Sequence, residues 1–307
     1  MAKIVILGSF MMDLLTKATR LPENGETLIG VDFDKNAGGK GANQAATIAK
    51  LEEEVTFIGM VGKDDFGIEA KEVLNRVGVD TEYMLSTSKS STGVGCVWVD
   101  KDGNNRIIVV PGANLQFSMD DFNEVKSIIL DAELLVLQLE MDLSVTKRVI
   151  EFAYKNQIKV LLNPAPAVLL EKDILQKISY LTPNETELGI LTDKKIKTRK
   201  DVIESSRLLI EMGVENVIVT LGEKGALWMD NNFQITEMGA FKVEPVDTVA
   251  AGDSFNGALA YGLVNNMNKK EILLLANTVG AFTVTKSGAI KSLPTKKDLV
   301  NLNRILI

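Results

Sequence analysis

Asp253 is an acidic residue that follows three of the smallest side chains in the chain, Ala250, Ala251 and Gly252. Apolar residues three and four positions apart after Gly252 predict a helix that begins at or just after these residues. The first N–H groups of a helix have no intrahelical acceptor, and its dipole adds roughly half a positive charge, so a phosphate can bind there. Asp253 could then take a proton from an attacking hydroxyl. Alternatively, it is an ordinary first-turn acid without a function.

A second glycine-rich segment, residues 38–43, also precedes a helical pattern. It is not a Walker A loop, because Gly41 stands where that loop requires Ser or Thr. Its glycines, Gly39 among them, allow close approach of the backbone, and Lys40 and Asn43 can donate hydrogen bonds to a polyhydroxylated ligand. The alternative is a glycine-rich turn with a solvated lysine.

Other polar residues follow apolar runs of strand length. Asp13 lies beyond the first run, where open α/β sheets bind ligands, and could accept from sugar hydroxyls or serve only as a turn or cap residue. Asn184 and Glu187 fall on adjacent turns, where they could organise a hydrated Mg²⁺ or form a capping box. The segment from Thr220 to Gly225 passes from a strand to a turn, and by itself it could be a hairpin turn.

Alternation of strand-like and helical patterns predicts the elements that position these residues. The apolar runs cover 3–8, 55–62, 134–140, 159–167 and 216–222. Because they are apolar at consecutive positions, we expect a parallel sheet covered by helices on both faces, and so an α/β fold. The irregular segments 14–35 and 91–111 interrupt this rhythm, and the second reads as a hairpin with an Asp-Gly-Asn turn. We place both in a small β appendage.

The composition excludes several kinds of protein. A chain of 307 residues with 46% hydrophobic residues can bury a large core, and its net charge of −7 argues against nucleic acid or a membrane surface as partner. The absence of histidine removes Ser-His and Cys-His dyads and the HExxH zinc site. The single Cys96 excludes an internal disulfide. With no apolar run of about 18 residues, we expect no membrane span and a cytoplasmic protein.

Two signatures, GGKGANQAA at 38–46 and DTVAAGDSFNGAL at 247–259, resemble the ribokinase-like (PfkB) family of carbohydrate kinases, and the similarity covers the whole chain. The segments TPNETE and NPAPA are similar to its ribokinase branch, whereas Met11 and the GEKGALWM run at 222–229 are more similar to deoxyribokinases. The resemblance implies a three-layer α/β/α sandwich with a mostly parallel central sheet and a small β-sheet lid. The core would comprise 1–13, 36–90 and 112–307, and the lid 14–35 and 91–111.

The resemblance also implies an activity, ATP-dependent phosphorylation of a pentose at O5, and a role for individual residues. Asp253 would be the catalytic base, with Ala250, Ala251 and Gly252 as the anion hole. The sugar would contact Met11, Asp13, Gly39, Lys40, Gly41, Asn43, Glu140 and Asp253. The nucleotide would contact Asn184, Thr220, Gly222, Glu223, Lys224, Gly225, Gly252 and Asn277.

Metal ions and a second copy of the chain are implied in the same way. Glu187 would hold Mg²⁺, through water. A monovalent cation, K⁺, would be bound by Asp247, Val249, Thr283, Lys286, Gly288 and Ser292, mostly through backbone oxygens. The lid would form a homodimer contact.

Met11 departs from the pattern of ribokinases, which usually have Asn at this position. A thioether is a weak acceptor, so a sugar hydroxyl beside it would be poorly paired, and this favours 2-deoxy-D-ribose over D-ribose. Alternatively, Met11 only packs in the core and ribose is the substrate. Another PfkB-family kinase, for a hexose or nucleoside, and a non-catalytic sugar sensor also remain possible. A dinucleotide oxidoreductase is disfavoured, because no GxGxxG follows the first strand.

Overall fold

The structure is a computed structural model that describes residues 3–300. Its strands are β1 (Ile4–Leu7), β2 (Met11–Lys17), β3 (Asp32–Gly38), β4 (Val55–Gly62), β5 (Met84–Thr87), β6 (Gly93–Val99), β7 (Asn105–Val110), β8 (Leu134–Leu137), β9 (Lys159–Leu162), β10 (Tyr180–Leu181), β11 (Asn216–Thr220), β12 (Ala226–Asp230) and β13 (Ile235–Met238). Its α-helices are α1 (Lys40–Lys50), α2 (Asp65–Arg76), α3 (Met119–Leu130), α4 (Leu143–Lys155), α5 (Lys172–Leu175), α6 (Glu185–Thr192), α7 (Arg199–Glu211), α8 (Ala251–Val264) and α9 (Lys269–Thr283). None of these helices is long and apolar enough to cross a bilayer.

Nine strands form one sheet, in the order β13-β12-β11-β10-β9-β8-β1-β4-β5. The seven strands from β11 to β5 are parallel, whereas β12 and β13 are antiparallel additions at one edge. The segment from Thr220 to Gly225 forms the turn between β11 and β12, so it is a hairpin turn as well as the end of a parallel strand. The parallel core of the sheet confirms the α/β prediction.

Alternate residues of the central strands face two separate hydrophobic cores. Ile4 of β1 packs in a cluster with residues of α1, α2, α8 and α9, whereas Val5 packs in a cluster with residues of α3, α4, α6 and α7. This is the side-chain alternation of a strand between two helical layers. The predicted three-layer sandwich is therefore confirmed.

A four-stranded small sheet stands apart from the large one, with the strand order β3-β2-β6-β7. Strands β6 and β7 form the predicted hairpin, and the carboxylate of Asp100 accepts the N–H groups of Asp102 and Asn104 in its turn. Only residues 8–10 separate β1 from β2. Because β2 begins at Met11 and β3 ends at Gly38, this sheet includes 11–13 and 36–38, which were expected in the core.

Candidate active site

The first turn of α8 has no side-chain cap. Its N-cap residue, Ala250, is in the left-handed region with φ of 62°, and its methyl group cannot accept a hydrogen bond. Ala251 N–H makes a long bond of 3.3 Å to the carbonyl of Thr248. The next two N–H groups, of Gly252 and Asp253, have no acceptor within the helix by α-helical geometry. The turn therefore presents free donors where the helix dipole favours an anion.

Asp253 does not act as an ordinary first-turn acid. In α7 the residue at the same helical position, Asp201, is partly exposed and forms a capping box with Thr198. Asp253 is instead only 8% exposed, and its Oδ2 accepts a 2.8 Å hydrogen bond from Nδ2 of Asn43 on α1. The capping alternative is therefore wrong for this carboxylate.

The surroundings of Asp253 set its protonation. Burial raises the pKa of this carboxyl, and the positive charge of Lys40 with hydrogen bonds from Asn43 and Gln44 opposes the rise. The net pKa is above the ordinary value of 3.8. A carboxylate with a raised pKa is a stronger base than a solvated one.

Lys40 is the cation of a buried acidic cluster at the start of α1. Burial lowers its pKa, but Asp253, Glu140 and Glu187 together raise it, with a net pKa above the ordinary value. Its backbone N–H also donates to Glu140 Oε2 at 3.2 Å, and the hydroxyl of Ser9 donates to the same oxygen at 2.5 Å. Burial raises the pKa of Glu140 and of Glu187 as well.

Two glycines allow the start of α1 to touch the connection between β1 and β2. Gly39 has a φ of 94°, and a Cβ there would lie 2.7 Å from the backbone nitrogen of Met11. A Cβ on Gly41 would lie 2.8 Å from Cα of Gly8. These contacts exclude larger residues and bring Lys40 beside the residues that end β1.

Asp13 lies on β2 in a tight environment. A Cβ on Gly38 would lie 3.1 Å from its Oδ2, and one on Gly95 would overlap its Oδ1. Burial, and then the charge of Glu140, raise the pKa of Asp13 to about 6. Nearby Asn43 Oδ1 is buried and accepts no hydrogen bond from residues 3–300. Such acceptors suit a ligand that brings hydroxyl donors.

The variant Asp13→Asn should be more stable than the wild type in the ligand-free state at pH 8. Because folding raises the pKa of Asp13 from 3.8 to about 6, its protonation favours the folded state below pH 4, and this stability is lost as the pH rises through 6. With allowance for partial exposure, the variant should gain about 1–3 kcal/mol at pH 8 and less at pH 5. Thermal unfolding at both pH values measures this.

A matched control for this prediction is Asp102→Asn, which changes an exposed carboxylate in the hairpin turn of the same small sheet. It should keep the pH dependence of the wild type. Equal stability of Asp13→Asn and wild type at pH 8 would show that the ionised carboxylate of Asp13 does not destabilise the folded state.

A cleft of about 250 Å³ connects Lys40 and Asp253 with the carboxyl ends of three parallel strands. It is lined by Lys40, Asn163, Ala165, Thr182, Asn184, Glu187, Thr220, Thr248, Ala250, Ala251, Gly252, Asp253 and Asn256. Five of these had no role predicted from the sequence, namely Asn163, Ala165, Thr182, Thr248 and Asn256. Position could have identified two of them, since Asn163 follows β9 and Thr182 follows β10, where ligands bind in open sheets.

Asn184 and Glu187 form a capping box at the start of α6. Asn184 Oδ1 accepts the Glu187 N–H, and Glu187 Oε2 accepts the Asn184 N–H, both at 2.8 Å. The capping interpretation is therefore confirmed, yet both residues also line the cleft. Residues 3–300 hold no group of three or more acidic, His or Cys side chains for a metal. The single Glu187 fits Mg²⁺ only if water and phosphate supply the other ligands.

The other residues expected at the nucleotide are not in the lining of the cleft. Gly222–Lys224 forms a 3-10 helix after β11, Gly225 follows with φ of 95°, and Lys224 pairs with Glu185 at 3.5 Å. Asn277 Nδ2 donates to the carbonyls of Met238 and Gly239 at 3.0 and 3.2 Å. The amide of Asn277 thus supports the backbone against which Gly225 packs.

Asp247 connects the two segments expected around the monovalent cation. Its Oδ1 accepts the Val249 N–H and its Oδ2 the Gly288 N–H, each at 3.0 Å. The carbonyl of Thr283 accepts the Lys286 N–H at 3.2 Å, and Ser292 donates its hydroxyl to Ala289. The Asp247 carboxylate thus joins the backbone at Val249 to the backbone at Gly288.

Comparisons with known proteins agree with this geometry. Residues 1–296 match the pfkB family of carbohydrate kinases. A deoxyribokinase of Salmonella typhi is 38% identical over 293 residues, 95% of each chain, and a ribokinase of Haemophilus influenzae is 34% identical over 96% of each chain. The structure of Arabidopsis thaliana ribokinase with ribose and ATP matches with a TM-score of 0.92 at 32% identity, over 98% of each chain. The chain therefore belongs to the pfkB family of carbohydrate kinases.

Proposed function

We propose that this kinase transfers the γ-phosphoryl group of ATP to O5 of a pentose, 2-deoxy-D-ribose or D-ribose. The observation that supports this most is the buried Asp253 carboxylate beside the uncapped first turn of α8, in one cleft with Lys40. The similar deoxyribokinase and ribokinase support a pentose as acceptor. ADP release with ribose, 2-deoxyribose, fructose and adenosine tests the proposal. Turnover of fructose or adenosine alone would contradict it.

In the proposed reaction Asp253 takes the proton of the O5 hydroxyl while the O5–Pγ bond forms and the bond from Pγ to the bridging oxygen of ADP breaks. The N–H groups of Gly252 and Asp253, with Ala251 beside them, stabilise the charge on the phosphoryl oxygens. Lys40 contributes its positive charge to the same cleft. The acceptors of Asp13, Asn43 and Glu140 would hold the sugar hydroxyls.

The proposal includes two metal ions. Mg²⁺ would offset charge on the ATP phosphates, with Glu187 as a ligand through water. K⁺ would be bound near the two segments that Asp247 joins, mainly through backbone oxygens. Activity that is independent of either ion after its removal would contradict the corresponding assignment.

We propose that Met11 selects the sugar. It lies two residues before Asp13 on β2, so both side chains are on the same face of the small sheet, opposite Met12. Met12 belongs to a hydrophobic core, whereas Met11 is 6% exposed and belongs to neither core cluster of residues 3–300. This argues against the interpretation of Met11 as core packing. We infer that its thioether faces the sugar and favours 2-deoxyribose.

Met11→Asn should therefore shift the preference toward ribose. A hydroxyl buried without a partner costs about 1–3 kcal/mol, and an amide would pair it. The ratio of kcat/KM for ribose to that for 2-deoxyribose should rise by about tenfold or more. Met11→Leu, which stays apolar, is the control and should keep the wild-type ratio. A strong ribose preference in the wild type that Met11→Asn leaves unchanged would refute the role of Met11.

The small sheet has the properties of a dimer contact. Its edge strand β7 exposes successive apolar residues, Ile107 at 55%, Ile108 at 56% and Val109 at 51%. An exposed apolar edge strand is a surface on which a second strand can pair. We propose a homodimer through this sheet. Sedimentation as a monomer at micromolar concentration would contradict it.

A further inference from the structure

Asn256 lies one helical turn after Gly252, and its side chain is buried at the floor of the cleft. Nδ2 donates to the carbonyl of Gly252 at 2.9 Å, and Oδ1 accepts the hydroxyl of Thr182 at 2.5 Å. The side chain is 2% exposed and Thr182 is 1% exposed. Neither residue is among those that the family resemblance assigns to the reaction.

The chemistry of these atoms allows one orientation of the amide. The carbonyl of Gly252 can only accept, so the nitrogen of Asn256 must face it. If the amide were rotated, Oδ1 of Asn256 would face the Gly252 carbonyl, and two acceptors would lie together. In the observed orientation Oδ1 faces Thr182, so the Thr182 hydroxyl must donate. The Gly252 carbonyl therefore sets the orientation of the amide, and the Thr182 hydroxyl holds it there by donating to Oδ1.

This contact acts on a peptide group that belongs to the anion hole. The carbonyl of Gly252 also accepts the backbone N–H of Asn256 by helical geometry. It shares its peptide plane with the N–H of Asp253, one of the free donors in the first turn. Two hydrogen bonds to the carbonyl fix the plane and polarise the peptide, which strengthens that N–H as a donor.

The first turn of α8 needs such support because it lacks the usual one. Helices α3, α6, α7 and α9 each begin with a capping box, whereas α8 begins with Ala250, whose methyl group cannot cap the helix. A capping side chain would occupy the place of the phosphoryl group. Asn256 supports the turn from its interior side and leaves the outer side free.

A chain of buried amides holds Thr182 itself. Asn163 Nδ2 donates to the Thr182 carbonyl at 3.3 Å, Gln44 donates to Asn163 at 3.2 Å, and Gln138 donates to Gln44 at 2.7 Å. These bonds join α1 and the ends of β8, β9 and β10 to the start of α8. The orientation of Asn256 is thus fixed by several elements of the fold.

We infer that Asn256 is a positioning residue for phosphoryl transfer, held in place by Thr182. It holds the Gly252–Asp253 peptide so that the Asp253 N–H points at the transferring group. The inference rests on the proposed kinase function. It concerns residues that stabilise the transition state without contact with the substrate.

Thr182→Val removes the hydroxyl with little change in volume. It should lower kcat about tenfold or more, because a displaced anion-hole donor stabilises the transition state less. KM for ATP and for the sugar should change less than about threefold. Thr182→Ser should recover most of the loss. Thr56→Val, the same change in a buried threonine at the amino end of β4, is the control and should keep wild-type kcat.

Asn256→Asp gives a pH signature that a purely structural role would not produce. The protonated carboxyl can donate to Gly252 as the amide does, whereas the ionised form can only accept and repels the carbonyl. The ratio of variant to wild-type kcat should therefore rise as the pH falls. If Asn256→Asp does not fold, the Thr182 variants decide the question.

Wild-type kcat in Thr182→Val, or a pH-independent ratio for Asn256→Asp, would overturn the inference, as would a raised KM for ATP with unchanged kcat. A readout independent of turnover is the affinity for ADP with aluminium fluoride, a mimic of the transferring phosphoryl group. Thr182→Val should bind the mimic at least about tenfold more weakly than wild type and ADP alone equally well. If the wild type does not phosphorylate a pentose, the proposed function is refuted. If Thr182→Val and the wild type bind the mimic equally well, the role of Asn256 is refuted.

Discussion

Asp253→Asn should lower kcat by about two to four orders of magnitude, because an amide cannot take the proton of the sugar hydroxyl. The amide can still accept from Asn43, so the cleft should keep its shape and the sugar should still bind. Single-turnover phosphorylation and calorimetric titration of the sugar measure the two effects separately. The result would place Asp253 in the chemical step rather than in binding.

The matched control is Asp201→Asn. Asp201 occupies the same position in the first turn of α7 but forms a capping box at the surface. Its substitution should lower thermal stability slightly and leave kcat as it is. Wild-type turnover in Asp253→Asn would show that another group takes the proton.

Lys40→Met should lower kcat/KM at pH 7 about a hundredfold, because it removes a positive charge from the site of phosphoryl transfer. It should also move the acid limb of the pH–activity profile to higher pH. Lys40 lowers the pKa of Asp253, which burial raises. Without the lysine the pKa rises further, so the base becomes ionised at a higher pH.

Two variants separate charge from shape in this prediction. Lys40→Arg keeps the charge and should keep the position of the acid limb, even if the larger side chain weakens sugar binding. Lys177→Met removes a partly buried lysine that faces Glu151 and Asp173 away from the cleft, and it should leave the profile unchanged. An unshifted acid limb in Lys40→Met would show that Asp253 does not sense this charge.

The sequence predicts the parallel strands well but overestimates two of them. The expected strand 134–140 ends at Leu137, and the expected strand 159–167 ends at Leu162. The apolar pattern continues because Leu139 and Ala165 are buried in the connections without strand pairing. Burial and strand pairing produce the same composition, so the pattern alone cannot separate them.

The sequence likewise predicts only some of the residues of the candidate site. The glycine-rich starts of α1 and α8 could be predicted, because small residues just before a helical pattern are typical of a turn that a ligand approaches closely. Strand position could have indicated Asn163 and Thr182 as cleft residues, but the roles of these two and of Asn256 could not be predicted, because they depend on hydrogen bonds between segments far apart in sequence. For Asn184 and Glu187 both interpretations were open, and the structure shows a capping box whose members also face the cleft.

Because α8 begins with an alanine, the stability of the protein depends on whether its ligand is bound. Under the proposed function, the nucleotide provides the acceptor that a serine or aspartate provides in other helices, so the empty protein lacks one element of its own architecture. The bound nucleotide then supplies a contact that stabilises the fold, and saturation of the site raises the melting temperature by mass action. The ligand-free enzyme is therefore the form most susceptible to proteolysis and degradation.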